Sequence, residues 1–159
     1  MNKLIRRLIS AAAVFLVSNH LAVAANPDAE AIGMQLKRYE AALNASDTDG
    51  VMKLYAKDAV FMPQNSQPFV GRDAVKAAYI HVFQTIKLDV QFLIDEVTSL
   101  APDWAVARTR SVGTQRPLAG DSRPEPEGNQ EMFLLHKDSD GVWRFARYIF
   151  STTNPASTN

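Results

Sequence analysis

The chain has 159 residues, of which 17 are Lys or Arg, 17 are Asp or Glu and none is cysteine. This length fits one globular domain, and a balanced charge without a basic run argues against a protein that binds nucleic acid through its phosphates. The lack of cysteine excludes disulfide scaffolds, thiolate zinc sites and thiol nucleophiles.

The first 24 residues have the three-part pattern of a secretory signal peptide. Three basic residues between positions 3 and 7 precede an apolar run of ten at residues 8–17, and Ala22-Val23-Ala24 supplies the small residues that signal peptidase recognises. A membrane-spanning helix needs about 20 apolar residues. We therefore predict cleavage after Ala24, export to the periplasm or the exterior, and no membrane attachment after cleavage. The mature chain would keep 14 basic and 17 acidic residues, a net charge of −3.

Three helices are predicted next. Apolar residues recur every three or four positions from Ile32 to Leu43 and again from Val75 to Ile86, which is the spacing of an amphipathic helix. Residues 46–50 supply helix breakers and caps for a short helix between them. The predicted helices span about 28–45, 51–55 and 72–86.

One short and four long strands complete the predicted domain. Residues 59–62 form a short apolar run that ends at Pro63. After Lys87 the apolar spacing changes to every second residue, typical of a strand with one buried face. The long strands are predicted at 88–95, 104–115, 130–137 and 142–152, with a loop at 116–129 and a frayed tail at 155–159. Helices followed by a strand meander predict one α+β domain, residues 25–154, with helices on one face of an antiparallel sheet.

Several segments carry a family resemblance. They are residues 54–60, Phe69-Val70-Gly71-Arg72 and the closing run at 141–150. In this order they resemble the nuclear transport factor 2-like superfamily, also called SnoaL-like or cystatin-like. With Asn129-Gln130-Glu131, the closing run is most similar to the SgcJ/EcaC-type small domain of unknown function. The resemblance implies a cone-shaped roll of three helices on a curved antiparallel sheet, with a pocket at the open end.

The same resemblance gives a test for catalysis. Ketosteroid isomerases of this superfamily hold the substrate oxygen with a tyrosine on the first helix, which the resemblance matches to Tyr39. Their proton-abstracting aspartate lies on the strand after the second helix, and a second acid lies on the penultimate strand. The matching residues here, 60–63 and 132–134, contain no carboxylate. Without a base, proton abstraction of that type has no agent, and whether the protein is an enzyme stays open.

Polar residues in phase with apolar ones on the strands are the pocket candidates. By simple alternation Glu131 shares a face with Phe133, and Arg147 shares one with Phe145. Buried charges need partners, so Glu131 and Arg147 are predicted to neutralise each other, or Arg108 or Arg110 takes part. The alternatives are a salt-bridged sheet or outward residues at a dimer interface. The predicted ligand-binding residues are Tyr39, Glu131, Arg147 and Arg108, with Phe61, Met62, Phe83 and Trp143 as apolar lining.

Two functions remain open from the sequence. One is an exported domain whose pocket binds, and can transform, a small carbonyl-bearing or anionic molecule. The other is a non-catalytic module that dimerises or binds proteins. We predict a homodimer through the outer face of the sheet. No nicotinamide or flavin fingerprint is present, so no cofactor is predicted. The histidines of the mature chain, His81 and His136, lack metal-ligand spacing, so no metal is predicted.

Overall fold

The structure is a computed structural model that describes residues 26–120 and 122–154. The predicted signal peptide and the tail at 155–159 lie outside the described residues and stay predictions. The helices are α1 (Pro27–Ala45), α2 (Thr48–Met52) and α3 (Arg72–Thr85). The strands are β1 (Tyr55–Met62), β2 (Phe69–Val70), β3 (Ile86–Ala101), β4 (Trp104–Pro117), β5 (Glu125–Lys137) and β6 (Trp143–Thr152).

Local sequence explains where α1 begins and ends. The Asn26 side chain accepts hydrogen bonds from the backbone N–H groups of Asp28 and Ala29, which have no partner inside the helix. Ser46 then takes a left-handed conformation with φ of 54°, which ends the helix. Between these ends, the predicted apolar stripe from Ile32 to Leu43 is buried. In the described residues no helix is long and apolar enough to span a bilayer.

The six strands form one sheet in the order β2-β1-β6-β5-β4-β3. This confirms the predicted α+β class, with two differences in detail. The predicted sheet was antiparallel, whereas β1 and β6 pair in parallel. The two-residue strand β2, absent from the prediction, pairs with β1 through Val60 and Val70. The helices cover the inner face, where β5 and β6 bury Phe133, Leu135 and Phe145 completely.

A β-bulge in β6 changes which side chains face the core. Leu135 pairs with Phe145 and Leu134 pairs with Arg147, so Ala146 is an extra residue in the strand. Alternation restarts after it, and Phe145 and Tyr148 are both buried on the inner face, 0% and 3% exposed. The prediction that Arg147 shares a face with Phe145 is therefore wrong, because it assumed uninterrupted alternation.

Candidate ligand pocket

The inner face of the sheet, α1 and α3 enclose a partly open cavity of about 390 Å³, called here the inner cavity. Most of its wall is apolar or aromatic, and its polar groups are tyrosine hydroxyls from α1, α3 and β6 together with polar side chains from β4, β5 and the end of β6. The lining residues are Tyr39, Leu43, Phe61, Tyr79, Val82, Ile86, Leu88, Val90, Phe92, Ser111, Gln115, Glu127, Asn129, Glu131, Tyr148, Phe150, Thr152 and Asn154. Two of the predicted polar residues, Tyr39 and Glu131, thus lie in one cavity.

Glu131 is a buried carboxyl without a cationic partner. It lies on β5 with 4% of its surface exposed. Its carboxylate accepts hydrogen bonds from the hydroxyl of Thr109 and, at 3.3 Å, from that of Tyr148. None of the Lys, Arg or His side chains in the described ranges forms an ion pair with it.

The titration of Glu131 follows from that environment. Burial disfavours the charged form and raises the pKa from 4.5 to about 7, although the hydrogen bonds from Thr109, Ser111 and Tyr148 act in the opposite direction. Near neutral pH the carboxyl therefore exists in both forms. It can donate a proton in one form and accept one in the other.

Three tyrosine hydroxyls form a second polar group. The hydroxyl of Tyr79 lies 2.5 Å from that of Tyr39 and 2.8 Å from that of Tyr55. Burial raises the pKa of all three well above 10, so they stay protonated at neutral pH. Three hydroxyls carry three protons and the two bonds use two of them. Of the three tyrosines, Tyr39 and Tyr79 line the cavity.

Stacked rings hold these hydroxyls in place. Phe133 stacks on Tyr148 with ring centres 4.2 Å apart and planes 7° from parallel. Phe61 stacks on the other side against both Tyr148 and Tyr79, at 5.4 and 5.1 Å. Tyr39 contacts Tyr148 edge-on at 5.6 Å. Ring packing of this kind fixes side-chain orientation, so the polar groups of the cavity are preorganised.

The predicted arginines lie elsewhere. Arg147 faces the outer side of the sheet, where its guanidinium donates to backbone oxygens. Arg108 and Arg110 are half exposed and both pair with Asp95 at 2.9 Å. The prediction that one of these arginines neutralises Glu131 is therefore wrong. The prediction for Arg147 is wrong because the bulge turns its side chain to the outer face. The prediction for Arg108 and Arg110 is wrong because these residues alternate along β4 with the residues that face the core.

Of the four predicted apolar lining residues, one lies in the wall of the inner cavity. Phe61 lines the inner cavity. Met62 follows it on β1 and faces the outer side, beside Ile149 in the strand pairing. Phe83 packs against Tyr79 at 5.9 Å but does not line the cavity. Trp143 is buried away from it, where its indole N–H donates to Asp28 at 3.0 Å.

Sequence reasoning missed eight polar residues that line the inner cavity: Tyr79, Ser111, Gln115, Glu127, Asn129, Tyr148, Thr152 and Asn154. Tyr79 lies in the predicted apolar stripe of α3, and that position by itself indicates packing. Ser111 shares one face of β4 with Ala105, Ala107 and Thr109, all of them buried, and the sequence did not single out its hydroxyl. Asn129 fell in the segment predicted as loop. Simple alternation from Phe145 puts Tyr148 on the opposite face, because it does not allow for the bulge. Residue type together with strand phase could have found Ser111.

Histidines and metal ligands do not contribute to this cavity. His81 is exposed on α3, and His136 lies 3.0 Å from Asp138 near the β5–β6 turn. Over residues 26–120 and 122–154, no group of three His, Asp or Glu side chains converges as a metal ion would require.

Comparison with solved structures places this geometry among known proteins. A ketosteroid isomerase-like protein from Erwinia carotovora atroseptica SCRI1043 is 33% identical, with a TM-score of 0.78, over 82% of this chain and 99% of that one. A conserved protein from Planctomyces limnophilus is 21% identical, with a TM-score of 0.67, over 79% and 98%. An uncharacterised cystatin-like protein from Caulobacter vibrioides is 21% identical, with a TM-score of 0.67, over 82% and 92%. The last two show the fold alone.

The sequence profile of the SnoaL-like domain family matches residues 36–148, which is most of the chain. This span includes Tyr39, Glu131 and Tyr148 of the inner cavity. The finer resemblance to the SgcJ/EcaC type stays a prediction. The fold, the matched span and the 33% identical relative agree, and the chain belongs to the SnoaL-like domain family.

Proposed function

We propose that the inner cavity binds a small, uncharged, mainly apolar molecule through a carbonyl or hydroxyl oxygen. The observation that carries this proposal is Glu131, a buried carboxyl that faces the cavity with only hydroxyl partners. Its protonated form donates a hydrogen bond to a carbonyl, and its ionised form accepts one from a hydroxyl. The surrounding wall of leucine, valine and aromatic side chains suits the carbon skeleton of such a ligand.

An anionic ligand fits this cavity less well than the sequence suggested. The expected guanidinium groups of Arg147 and Arg108 lie on the outer face. The titratable side chains that line the cavity are the carboxyls Glu127 and Glu131 and three tyrosines, Tyr39, Tyr79 and Tyr148. A bound anion would therefore meet like charge without a cation to offset its loss of water.

The site also has the groups needed for proton transfer. A carboxyl with a pKa near the ambient pH is suited to act as a general acid or base. A tyrosine hydroxyl can stabilise negative charge that develops on a carbonyl oxygen. The reaction class these groups support is proton transfer to or from a bound carbonyl compound. The relative named ketosteroid isomerase-like supports this reaction class. Glu131 lies just outside the positions that the resemblance matches to the acids of ketosteroid isomerases, residues 60–63 and 132–134.

Binding of three matched probes tests the proposal. 1-Indanone, indane and indane-1-carboxylate share a bicyclic skeleton and differ in the polar group. At pH 6, where Glu131 is mostly protonated, 1-indanone is expected to bind about fivefold more tightly than indane, because one hydrogen bond is gained. The carboxylate is expected to bind least. Calorimetry and the shift in Tm on ligand addition measure both comparisons.

The pH dependence supplies the control. Ketone binding is expected to weaken between pH 6 and pH 8.5, because an ionised Glu131 cannot donate. Glu131→Gln keeps a donor and should bind the ketone equally at both pH values, whereas Glu125→Gln, at an exposed position outside the cavity, should behave like wild type. Equal binding of ketone and hydrocarbon, or strongest binding of the carboxylate, would contradict the proposal.

A specific surface feature favours a second candidate, a homodimer through the outer face. Met132 and Ile149 pair in register on β5 and β6 and are 50% and 48% exposed, and Met62 continues the row on β1. An exposed apolar row across three strands is typical of an interaction surface. Arg108 and Asp95 beside it supply both signs of charge.

Sedimentation measurements test this dimer. We propose that the wild-type chain is dimeric at micromolar concentration. Met132→Lys is expected to raise the Kd of the dimer at least tenfold and so to favour the monomer. Val70→Lys is the matched control, since Val70 is also exposed but lies on β2 at the edge of the sheet. A monomeric wild type, or a dimer unaffected by Met132→Lys, would contradict this surface.

A further inference from the structure

A second cavity of about 540 Å³ lies between α3 and the β1–β2 hairpin and is called here the outer groove. Its walls are almost entirely apolar, and the one titratable residue among them is His81. Phe61, Val82 and Phe150 line both the outer groove and the inner cavity. The two spaces are therefore neighbours that share a wall of three side chains.

The aromatic rings form a continuous surface between the two spaces. Phe61 stacks against Tyr148, a hydrogen-bond partner of Glu131, with ring centres 5.4 Å apart and planes 10° from parallel. On its other side it stacks against Phe69 at 6.1 Å and 24°. Phe69 lines only the outer groove of these two cavities. The side chains that separate the polar end of the inner cavity from the groove are therefore apolar or aromatic.

The outer groove has space for a ligand because the side of α3 that faces it carries small alanine side chains. Ala74, Ala77 and Ala78 line it, and of these Ala77 is exposed and Ala74 half-buried. A larger apolar side chain at Ala74 or Ala77 would occupy the groove without entering the core. These two positions are therefore suitable for filling the space while leaving the fold intact.

We propose that the outer groove holds the apolar end of the same ligand whose oxygen binds at Glu131. The ligand is then an elongated molecule with one polar end and an apolar chain, and the chain occupies the larger of the two spaces. This inference rests on the proposed function. The shared wall and the continuous ring surface favour one ligand over two, and the apolar groove lining offers little to a charged group.

A series of 2-alkanones from 2-butanone to 2-decanone tests the inference by calorimetry at pH 6. Each added methylene that leaves water should raise affinity about fourfold. In the wild type the gain should continue to the end of the series. With Ala74→Leu and Ala77→Leu combined, the gain should stop part-way, so that 2-decanone binds at least tenfold more weakly than to wild type while 2-butanone binds equally.

Two controls separate the possible outcomes. Ala41→Leu places the same side chain on the exposed face of α1, away from both spaces, and should leave the whole series unchanged. The single variant Ala77→Leu, at an exposed position, should reproduce part of the effect if the double variant folds poorly.

The results distinguish this inference from the proposed function. If short ketones bind but the gain stops early in the wild type, or if the leucine variants bind 2-decanone normally, the groove is not part of the ligand site although the inner cavity is. If no ketone binds better than its hydrocarbon, the proposed function itself fails. If Ala77→Leu instead weakens self-association, the groove belongs to an interface between copies, which also overturns the inference.

Discussion

Glu131→Gln is expected to become more stable relative to the wild type by about 3 kcal/mol as pH rises from 4 to 8. The folded chain holds the proton of Glu131 more tightly than the unfolded chain, because burial raises the pKa from 4.5 to about 7. Stability from this group is fully present below 4.5 and is lost as pH rises through 7. At about 1.4 kcal/mol per pKa unit, the difference between the pKa values of Glu131 in the unfolded and folded chains corresponds to about 3 kcal/mol.

Urea unfolding at several pH values measures this difference. Other groups contribute to the pH dependence as well, and the salt-bridged Asp140, whose pKa is lowered to about 2 chiefly by Arg144, acts in the opposite direction below about pH 4. Their contributions cancel when the variant is compared with wild type at each pH. Glu127→Gln should show a much smaller pH-dependent difference. A Glu131→Gln difference that does not change with pH would mean that the carboxyl is hydrated in solution.

Tyr79→Phe is expected to destabilise the protein by about 1–3 kcal/mol for each of two stranded hydroxyls. The variant removes the central member of the row of three hydroxyls. The hydroxyls of Tyr39 and Tyr55 then lose a hydrogen-bond partner while they remain buried. Tyr55→Phe removes only a hydroxyl at one end of this row and should lower the free energy of unfolding less, by about 1 kcal/mol. Urea unfolding ranks the two variants. Equal losses would show that the hydroxyls do not act as a chain.

The fold was largely predictable because its signals are local. The stripes of α1 and α3 are 3.6-residue patterns that any amphipathic helix would show. The segment predicted as a loop at 116–129 proved to contain the start of β5, since residues 125–128 pair with β4 alone. Pro126 is tolerated there because this part of β5 is an edge. The parallel pairing of β1 with β6 depends on contacts between distant segments, which a local pattern does not encode.

The site was predictable only in part, for a related reason. Glu131 follows the phase of Phe133 and Leu135 along an uninterrupted stretch of β5, so alternation gives its direction correctly. Arg147 and Tyr148 follow the extra residue Ala146, and alternation counted from Trp143 assigns both to the wrong face. No residue type in the sequence marks the bulge. Only the structure therefore shows that the Tyr148 hydroxyl, and not the Arg147 guanidinium, faces the inner cavity.

The place of β6 in the sheet has a consequence for how the chain acquires its structure during synthesis. The last strand lies in the middle of the strand order, between β1 and β5, and it contributes Phe145 and Tyr148 to the core. The pairing of Phe61 with Tyr148 joins residues 87 positions apart, and such distant contacts slow folding. The core therefore closes only after the final strand leaves the ribosome. A chain that is predicted to cross a membrane before it folds would be kept open by this order of strands until β6 has been synthesised.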